Sequence, residues 1–167
     1  FDPQRVEFLT SVAVPLDDQE RYLSAYRALN GKHSTVFPGV VDALRALRAR
    51  ALPLACLTNK PVQDARTLLE AKGLMEFFDH VFGGDSFARK KPDPLPLLET
   101  CRALQLAPQQ VLMVGDSVND AVAARGSGCA LALVSYGYNH GHPVRELDAD
   151  VYVDRLTELL PLLPAAR

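Results

Sequence analysis

Tryptophan is absent from the 167 residues, and cysteine occurs only three times, as Cys56, Cys101 and Cys129. The odd number and wide spacing of the cysteines match neither a disulfide framework nor the closely spaced pairs of a zinc site. We therefore expect three reduced and mostly buried thiols in a cytoplasmic protein. A catalytic role for one of these thiols is the less favoured alternative.

Long runs of a single residue type are lacking as well. No apolar stretch approaches the roughly 20 residues of a transmembrane helix, and the N-terminal FDPQRVEF lacks the basic start and apolar stretch of a signal peptide. The net charge is −2 and no long basic run occurs, which argues against nucleic acid and membranes as partners. Hydrophobic residues make up 48% of the chain, enough for one globular domain with a small appendage.

From residue 51 onward, short apolar runs alternate with helical patterns. The expected strands are 52–58, 79–84, 111–116, 130–135 and 150–154. The expected helices are 39–50, 63–73, 94–105, 118–125 and 156–163. Such alternation is typical of a parallel sheet that helices cover on both faces, so we predict a doubly wound, Rossmann-like α/β fold. Upstream of this region, residues 16–30 show the periodicity of an amphipathic helix.

Two aspartates at the end of the third expected strand give the strongest chemical signal. The segment VLMVGDSVND (111–120) ends its apolar run at Gly115; Asp116 follows, and Asp120 comes one helical turn later. In a parallel sheet, chemistry collects at the carboxyl edge of the strands, and Mg²⁺ prefers carboxylate oxygens. Asp116 could instead only cap the helix, but capping would leave the second aspartate unexplained. The pattern predicts a magnesium site at Asp116 and Asp120.

Two weaker signals lie upstream of this pair. Thr58 and Asn59 end the first expected strand, where a hydroxyl and an amide can hydrogen-bond a phosphate, although both residues are also common in turns. Lys90 and Lys91 precede the helix that Pro94 opens. A lysine at the active-site edge would neutralise phosphate charge, whereas most surface lysines are merely solvated.

In their order along the chain, Thr58, Lys91 and the pair Asp116/Asp120 resemble the pattern of the haloacid dehalogenase superfamily over about residues 34–155. The segments LTNKP, ARKKPDPLPL, GDSVND and YGYNHG are most similar to its phosphoglycolate phosphatase branch. The resemblance implies Mg²⁺-dependent hydrolysis of a small phosphorylated metabolite through an aspartyl-phosphate. It also implies a domain division into a helical cap remnant (1–33) and a core (34–167).

The resemblance also assigns roles to individual residues. It implies that Asp116 is a Mg²⁺ ligand and that Asp120 supports the metal or its waters. It also implies that Thr58 binds the phosphoryl group that is transferred. Lys91 stabilises the phosphate charge, and Lys90 takes this place if the register is shifted by one. Neighbouring candidates are Asn59 beside the phosphate, and Ser117 and Asn119 behind the metal ligands.

One motif of the family is absent. The Asp-x-Asp-x-Thr sequence, whose first aspartate attacks phosphorus, does not occur in the chain, and the early Asp2, Asp17 and Asp18 follow no apolar strand. We expect the nucleophile upstream of this chain, on a first strand that would lie between the strands ending at Thr58 and Asp116. We expect the 167 residues alone to be inactive and to fold poorly, because two inner strands would lack a partner.

Other functions remain open. A sugar-phosphate mutase cannot be separated from a phosphatase without the cap, and a catalytically inactive domain that binds phosphate or a partner is a third reading. A dehalogenase needs no Mg²⁺, so the carboxylate of Asp116 argues against this function. A phosphonatase would use a cap lysine, and Lys32, the only lysine in residues 1–33, is poorly placed for it. His140 and His142 lie in a glycine-containing loop and are expected to be solvated rather than to bind metal.

Overall fold

Residues 35–139 and 141–163 are described by the structure, a computed structural model. The five strands are β1 (Ala55–Leu57), β2 (His80–Phe82), β3 (Leu112–Gly115), β4 (Ala130–Val134) and β5 (Val151–Val153). The four α-helices are α1 (Val40–Ala49), α2 (Val62–Ala71), α3 (Leu95–Ala103) and α4 (Val118–Ser127). Short 3₁₀ helices cover Met75–Phe77, Pro108–Gln110, Val144–Glu146 and Leu156–Leu162. The α/β class and every predicted strand are confirmed, although each strand is shorter than its apolar run.

The strands form two parallel sheets. In one sheet β1 pairs with β2, and in the other the order is β3-β4-β5. Among the described residues, β1 and β3 therefore each have a hydrogen-bonded neighbour on one side only. The carboxyl ends of β1 and β3 nevertheless line one common cleft. Polar residues that follow these two strands are thereby brought together.

The second sheet holds the main core, which is divided between its two faces. Successive residues of β4 alternate, so Leu131 and Leu133 lie with α3 and α4, whereas Ala132 and Val134 pack with Leu159. All four of these strand residues are buried. A strand that is paired on both edges and covered on both faces gives the site a rigid base.

The last predicted helix was wrong in type. Residues 156–163 were expected to be α-helical, but Leu156–Leu162 is a 3₁₀ helix that contains Pro161. Proline has no N–H to donate, and its ring clashes with the preceding turn of an α-helix. Leucine periodicity alone conveyed burial here but not the helix type.

Two predictions fall outside the described residues: the helix over 16–30 and the cap remnant over 1–33. Within the part of the chain that the structure describes, no helix is long and apolar enough to cross a membrane.

Candidate active site

A cleft of about 360 Å³ lies between the carboxyl ends of β1 and β3. Thr58 and Lys91 line it on the β1 side, and Gly115, Asp116 and Asp120 line it on the β3 side. A second cavity of about 260 Å³ lies at the beginnings of β3, β4 and β5, and no titratable side chain lines it. The polar, charged cleft is therefore the candidate active site.

Lys91 is buried in this cleft, with only 8% of its surface exposed. Its ammonium group donates to the carbonyl oxygen of Leu57 at 2.9 Å and to Oδ1 of Asp120 at 2.7 Å. A buried ammonium requires such partners, because desolvation without them is very unfavourable. The adjacent Lys90 is exposed, so the lysine that reaches the cleft is Lys91.

Asp120 is the most heavily hydrogen-bonded carboxylate of the site. Its Oδ1 accepts from Lys91, and its Oδ2 accepts from the backbone N–H groups of Asp116 and Ser117 and from the Ser117 hydroxyl. Gly115 makes this packing possible, since a Cβ there would lie 2.4 Å from the Cβ of Asp120. Burial opposes ionisation, but the Lys91 charge and these hydrogen bonds outweigh it, so the pKa of Asp120 is lowered.

Asp116 has a more open environment. Its Oδ2 accepts a hydrogen bond from the backbone N–H of Tyr138 at 2.9 Å. No N–H or O–H donor in residues 35–139 and 141–163 bonds to its other oxygen, Oδ1. Burial and the negative charge of Asp120 raise the pKa of Asp116, although the Tyr138 N–H and the Lys91 charge act in the opposite direction.

Thr58 and Asn59 follow β1 at the same edge. The Thr58 oxygen accepts from the N–H of Lys60 at 3.2 Å, which leaves its own O–H able to donate. The Asn59 amide donates to the backbone carbonyl of Lys91 at 2.8 Å. Asn59 thus ties the lysine-bearing loop to the end of β1, and Thr58 has the hydroxyl available for a ligand.

A family model for haloacid dehalogenase-like hydrolases matches residues 4–128. The chain belongs to this family.

Two curated relatives that this chain matches carry the same name. A phosphoglycolate phosphatase of Thiobacillus denitrificans is 48% identical over 126 residues, which are 75% of this chain and 56% of the relative. The phosphoglycolate phosphatase of Escherichia coli K12 is 40% identical over 155 residues, covering 90% of this chain and 62% of the relative. This haloacid dehalogenase-like chain therefore spans less than two thirds of the length of these relatives.

Solved structures agree with the fold. A crystal structure from Haemophilus somnus, described as a predicted phosphoglycolate phosphatase, superposes with a TM-score of 0.85 at 32% identity, over 92% of this chain and 70% of that one. CbbY of Rhodobacter sphaeroides, crystallised in complex with phosphate, superposes with a TM-score of 0.75 at 25% identity, over 89% and 67% of the two chains. The resemblance recognised in the sequence is confirmed at the level of family and fold.

The donor set suits Mg²⁺ only in part. No group of three or more His, Cys, Asp or Glu side chains that could hold a metal occurs among the described residues. Asp116 fits a ligand role, because it lines the cleft and one of its oxygens accepts no hydrogen bond from residues 35–139 and 141–163. Mg²⁺ often takes just one or two protein carboxylates and completes its octahedron with water and substrate phosphate, so a single carboxylate is compatible with it.

The geometry also revealed features that the sequence reasoning missed. One of these features is the ion pair between Lys91 and Asp120, which joins two motifs that the sequence reasoning considered separately. A lysine and an aspartate expected at the same sheet edge could have suggested this ion pair. Asn139 is buried and caps α4 through the N–H of Val118, a contact with no clear signal in the sequence. His142 is exposed, and His140 lies outside the described residues.

Proposed function

We propose that this chain forms the metal- and phosphate-binding part of a Mg²⁺-dependent phosphomonoesterase that hydrolyses 2-phosphoglycolate to glycolate and phosphate. The observation that carries the proposal is the convergence of Thr58, Lys91 and Asp116 on one cleft. The names of the relatives from Thiobacillus and Escherichia support the substrate. A cytoplasmic location and a small phosphorylated metabolite as partner belong to the same proposal.

Asp116 is the proposed cation ligand, through Oδ1, the oxygen that accepts no hydrogen bond from the described part of the chain. When bound, Mg²⁺ would neutralise negative charge on the transferring phosphoryl group. Both oxygens of Asp120 accept hydrogen bonds from protein donors. A direct metal contact of Asp120 stays a prediction; its contacts favour a supporting role, in which it holds Lys91 and the start of α4.

Lys91 and Thr58 are the proposed phosphate ligands. An ammonium group has three N–H donors, and those of Lys91 that bond to Leu57 and Asp120 leave one for a phosphate oxygen. The Thr58 hydroxyl can donate to a second phosphate oxygen. Asn59 acts indirectly, because its amide already holds the Lys91 backbone.

The nucleophile is proposed to come from the family's Asp-x-Asp-x-Thr segment, which these 167 residues do not contain. Its first carboxylate attacks phosphorus, the bond from phosphorus to the glycolate oxygen breaks, and the leaving oxygen takes a proton from the second aspartate. The second aspartate, now a carboxylate, takes a proton from water as the water attacks phosphorus. The bond from phosphorus to the first carboxylate breaks, which releases inorganic phosphate and restores both aspartates. Lys91 and Thr58 hold the phosphoryl oxygens through both steps.

The test uses an extended chain, defined as residues 1–167 preceded by a segment that carries the family's Asp-x-Asp-x-Thr motif. We expect Mg²⁺-dependent phosphate release from 2-phosphoglycolate by the extended chain and none by residues 1–167 alone. Sugar monophosphates assayed in parallel check the substrate, and circular dichroism checks that every variant is folded. A folded extended chain that is inert on 2-phosphoglycolate but turns over a sugar phosphate would refute the proposed substrate.

A further inference from the structure

The segment after β4 is fastened at several points, although most of its residues are exposed. We call residues 135–139 and 141–143 the β4 loop. At its start, the Ser135 N–H donates to the carbonyl of Val153 at 3.0 Å, and the Ser135 hydroxyl donates to Oδ1 of Asp154 at 2.6 Å. The beginning of the loop is thus anchored to the end of β5.

Asn139 fixes the other end of the loop to α4. Its side-chain oxygen accepts from the N–H of Val118 at 3.0 Å, and its side-chain nitrogen donates to the carbonyl of His142 at 3.1 Å. Only 7% of its surface is exposed, between two exposed residues of the described chain, Tyr138 and Gly141. Burial of an amide with both ends bonded gives the loop one defined position relative to the first turn of α4.

Between these anchors, the loop backbone lies directly against the Asp116 side chain. A Cβ on Gly137 would lie 2.0 Å from the Cβ of Asp116 and 2.3 Å from its Oδ2. The next residue, Tyr138, donates its N–H to that same oxygen at 2.9 Å. Gly137 therefore brings the backbone close enough for this hydrogen bond, and any larger residue would push the carboxylate or the loop away.

We propose that the β4 loop is a positioning element for Asp116, in which Gly137 and the Tyr138 N–H orient the carboxylate and Asn139 fixes the loop. The inference rests on the function proposed above, since it assigns the remaining oxygen of Asp116 to the cation. With Oδ2 held by Tyr138, the carboxylate cannot rotate without losing a hydrogen bond, so Oδ1 is presented in one orientation. Groups that orient a metal ligand in this way commonly change metal affinity about 10–100-fold when they are mutated.

The test compares Gly137→Ala with Gly141→Ala in the extended chain. Both variants change a glycine of the β4 loop to alanine, but a Cβ on Gly141 would meet nothing within 4 Å, even though its φ of 82° makes alanine strained there. Gly141→Ala therefore controls for loop strain without contact to Asp116. Mn²⁺ binding, followed by electron paramagnetic resonance, serves as a readout that does not depend on turnover.

We expect Gly137→Ala to weaken Mn²⁺ binding about 10–100-fold and to raise the Mg²⁺ concentration for half-maximal activity by a similar factor, with KM for 2-phosphoglycolate at saturating Mg²⁺ little changed. Asn139→Ala should act in the same direction and more weakly, whereas Gly141→Ala should bind Mn²⁺ like the parent. Unchanged Mn²⁺ binding in folded Gly137→Ala, or equal losses in both glycine variants, would overturn the positioning role. Loss of binding only in Gly137→Ala, in an extended chain that hydrolyses nothing, would support the positioning role and refute the phosphatase.

Discussion

Asp116 and Asp120 lie four residues apart around the start of α4, and their surroundings differ in almost every respect. Asp120 is 4% exposed, both of its oxygens accept hydrogen bonds, and its pKa is lowered. Asp116 is half-buried, one of its oxygens has no donor from the described residues, and its pKa is raised. These surroundings favour different proposed roles for the two aspartates: a structural role for Asp120, and ligand binding for Asp116.

Replacing the carboxylate of Asp116 should give the largest effect on activity. We expect Asp116→Asn in the extended chain to lower kcat on the order of 10³-fold, because the proposed cation ligand is lost. Stability at pH 7 should be unchanged or higher, since a carboxyl with a raised pKa is unfavourable to the fold when it is ionised. Asparagine keeps an oxygen that can accept from the Tyr138 N–H. Phosphate release and urea unfolding measure the two effects, and a large loss of stability would contradict this interpretation.

Breaking the ion pair between Lys91 and Asp120 should give the largest effect on stability. Lys91→Met leaves the Asp120 carboxylate buried without its cation, so we expect the free energy of unfolding to fall by about 3–5 kcal/mol. The exposed neighbour offers a matched control, because Lys90→Met should change it by less than about 0.5 kcal/mol. Urea unfolding of both variants tests this difference.

The double variant Lys91→Met/Asp120→Asn sharpens the same comparison. Removing both charges should restore part of the stability that Lys91→Met loses, without restoring phosphatase activity. Stability no better than that of the single variant would show that the ion pair is not the source of the loss.

The pH dependence of stability should show that the ionised form of Asp120 stabilises the folded protein. A carboxyl with a lowered folded-state pKa stabilises the protein above its unfolded pKa of about 3.9 and loses this contribution as the pH falls through the folded-state value. The stability difference between the parent and Asp120→Asn should therefore be largest near pH 7 and shrink below about pH 4. Urea titrations from pH 7 to pH 3 measure it, and a difference that grows on acidification would contradict the assigned sign.

A smaller effect is expected from Ser117→Ala, which removes one of the three hydrogen bonds to Oδ2 of Asp120. The two backbone N–H donors to that oxygen remain, so the expected loss is about 0.5–1.5 kcal/mol with kcat changed by less than tenfold. A loss as large as that of Lys91→Met would mean that the hydroxyl, and not the lysine, is the main partner of Asp120.

Sequence patterns predicted most of the framework, because short apolar runs and helical periodicity follow directly from burial. They also indicated that Thr58 and Asp116 would meet, since residues after parallel strands share one edge, whereas the place of Lys91 followed from the family resemblance. Spacing alone could not distinguish Asp116 from Asp120, and only the family resemblance gave them different roles. The difference between their surroundings arises from partners distant in the chain, Lys91 and Tyr138. The type of the last helix and the buried Asn139 depend in the same way on local backbone and tertiary contacts.

The most direct test of this division of roles is Mn²⁺ binding to the Asp116→Asn and Asp120→Asn variants of the extended chain, with urea unfolding of the same samples. The account predicts that Asp116→Asn abolishes binding and keeps stability, whereas Asp120→Asn loses stability and, under conditions where it is folded, weakens binding less than tenfold. Abolished binding in a folded Asp120→Asn variant would contradict it, because Asp120 would then act as a cation ligand and not only as the partner of Lys91.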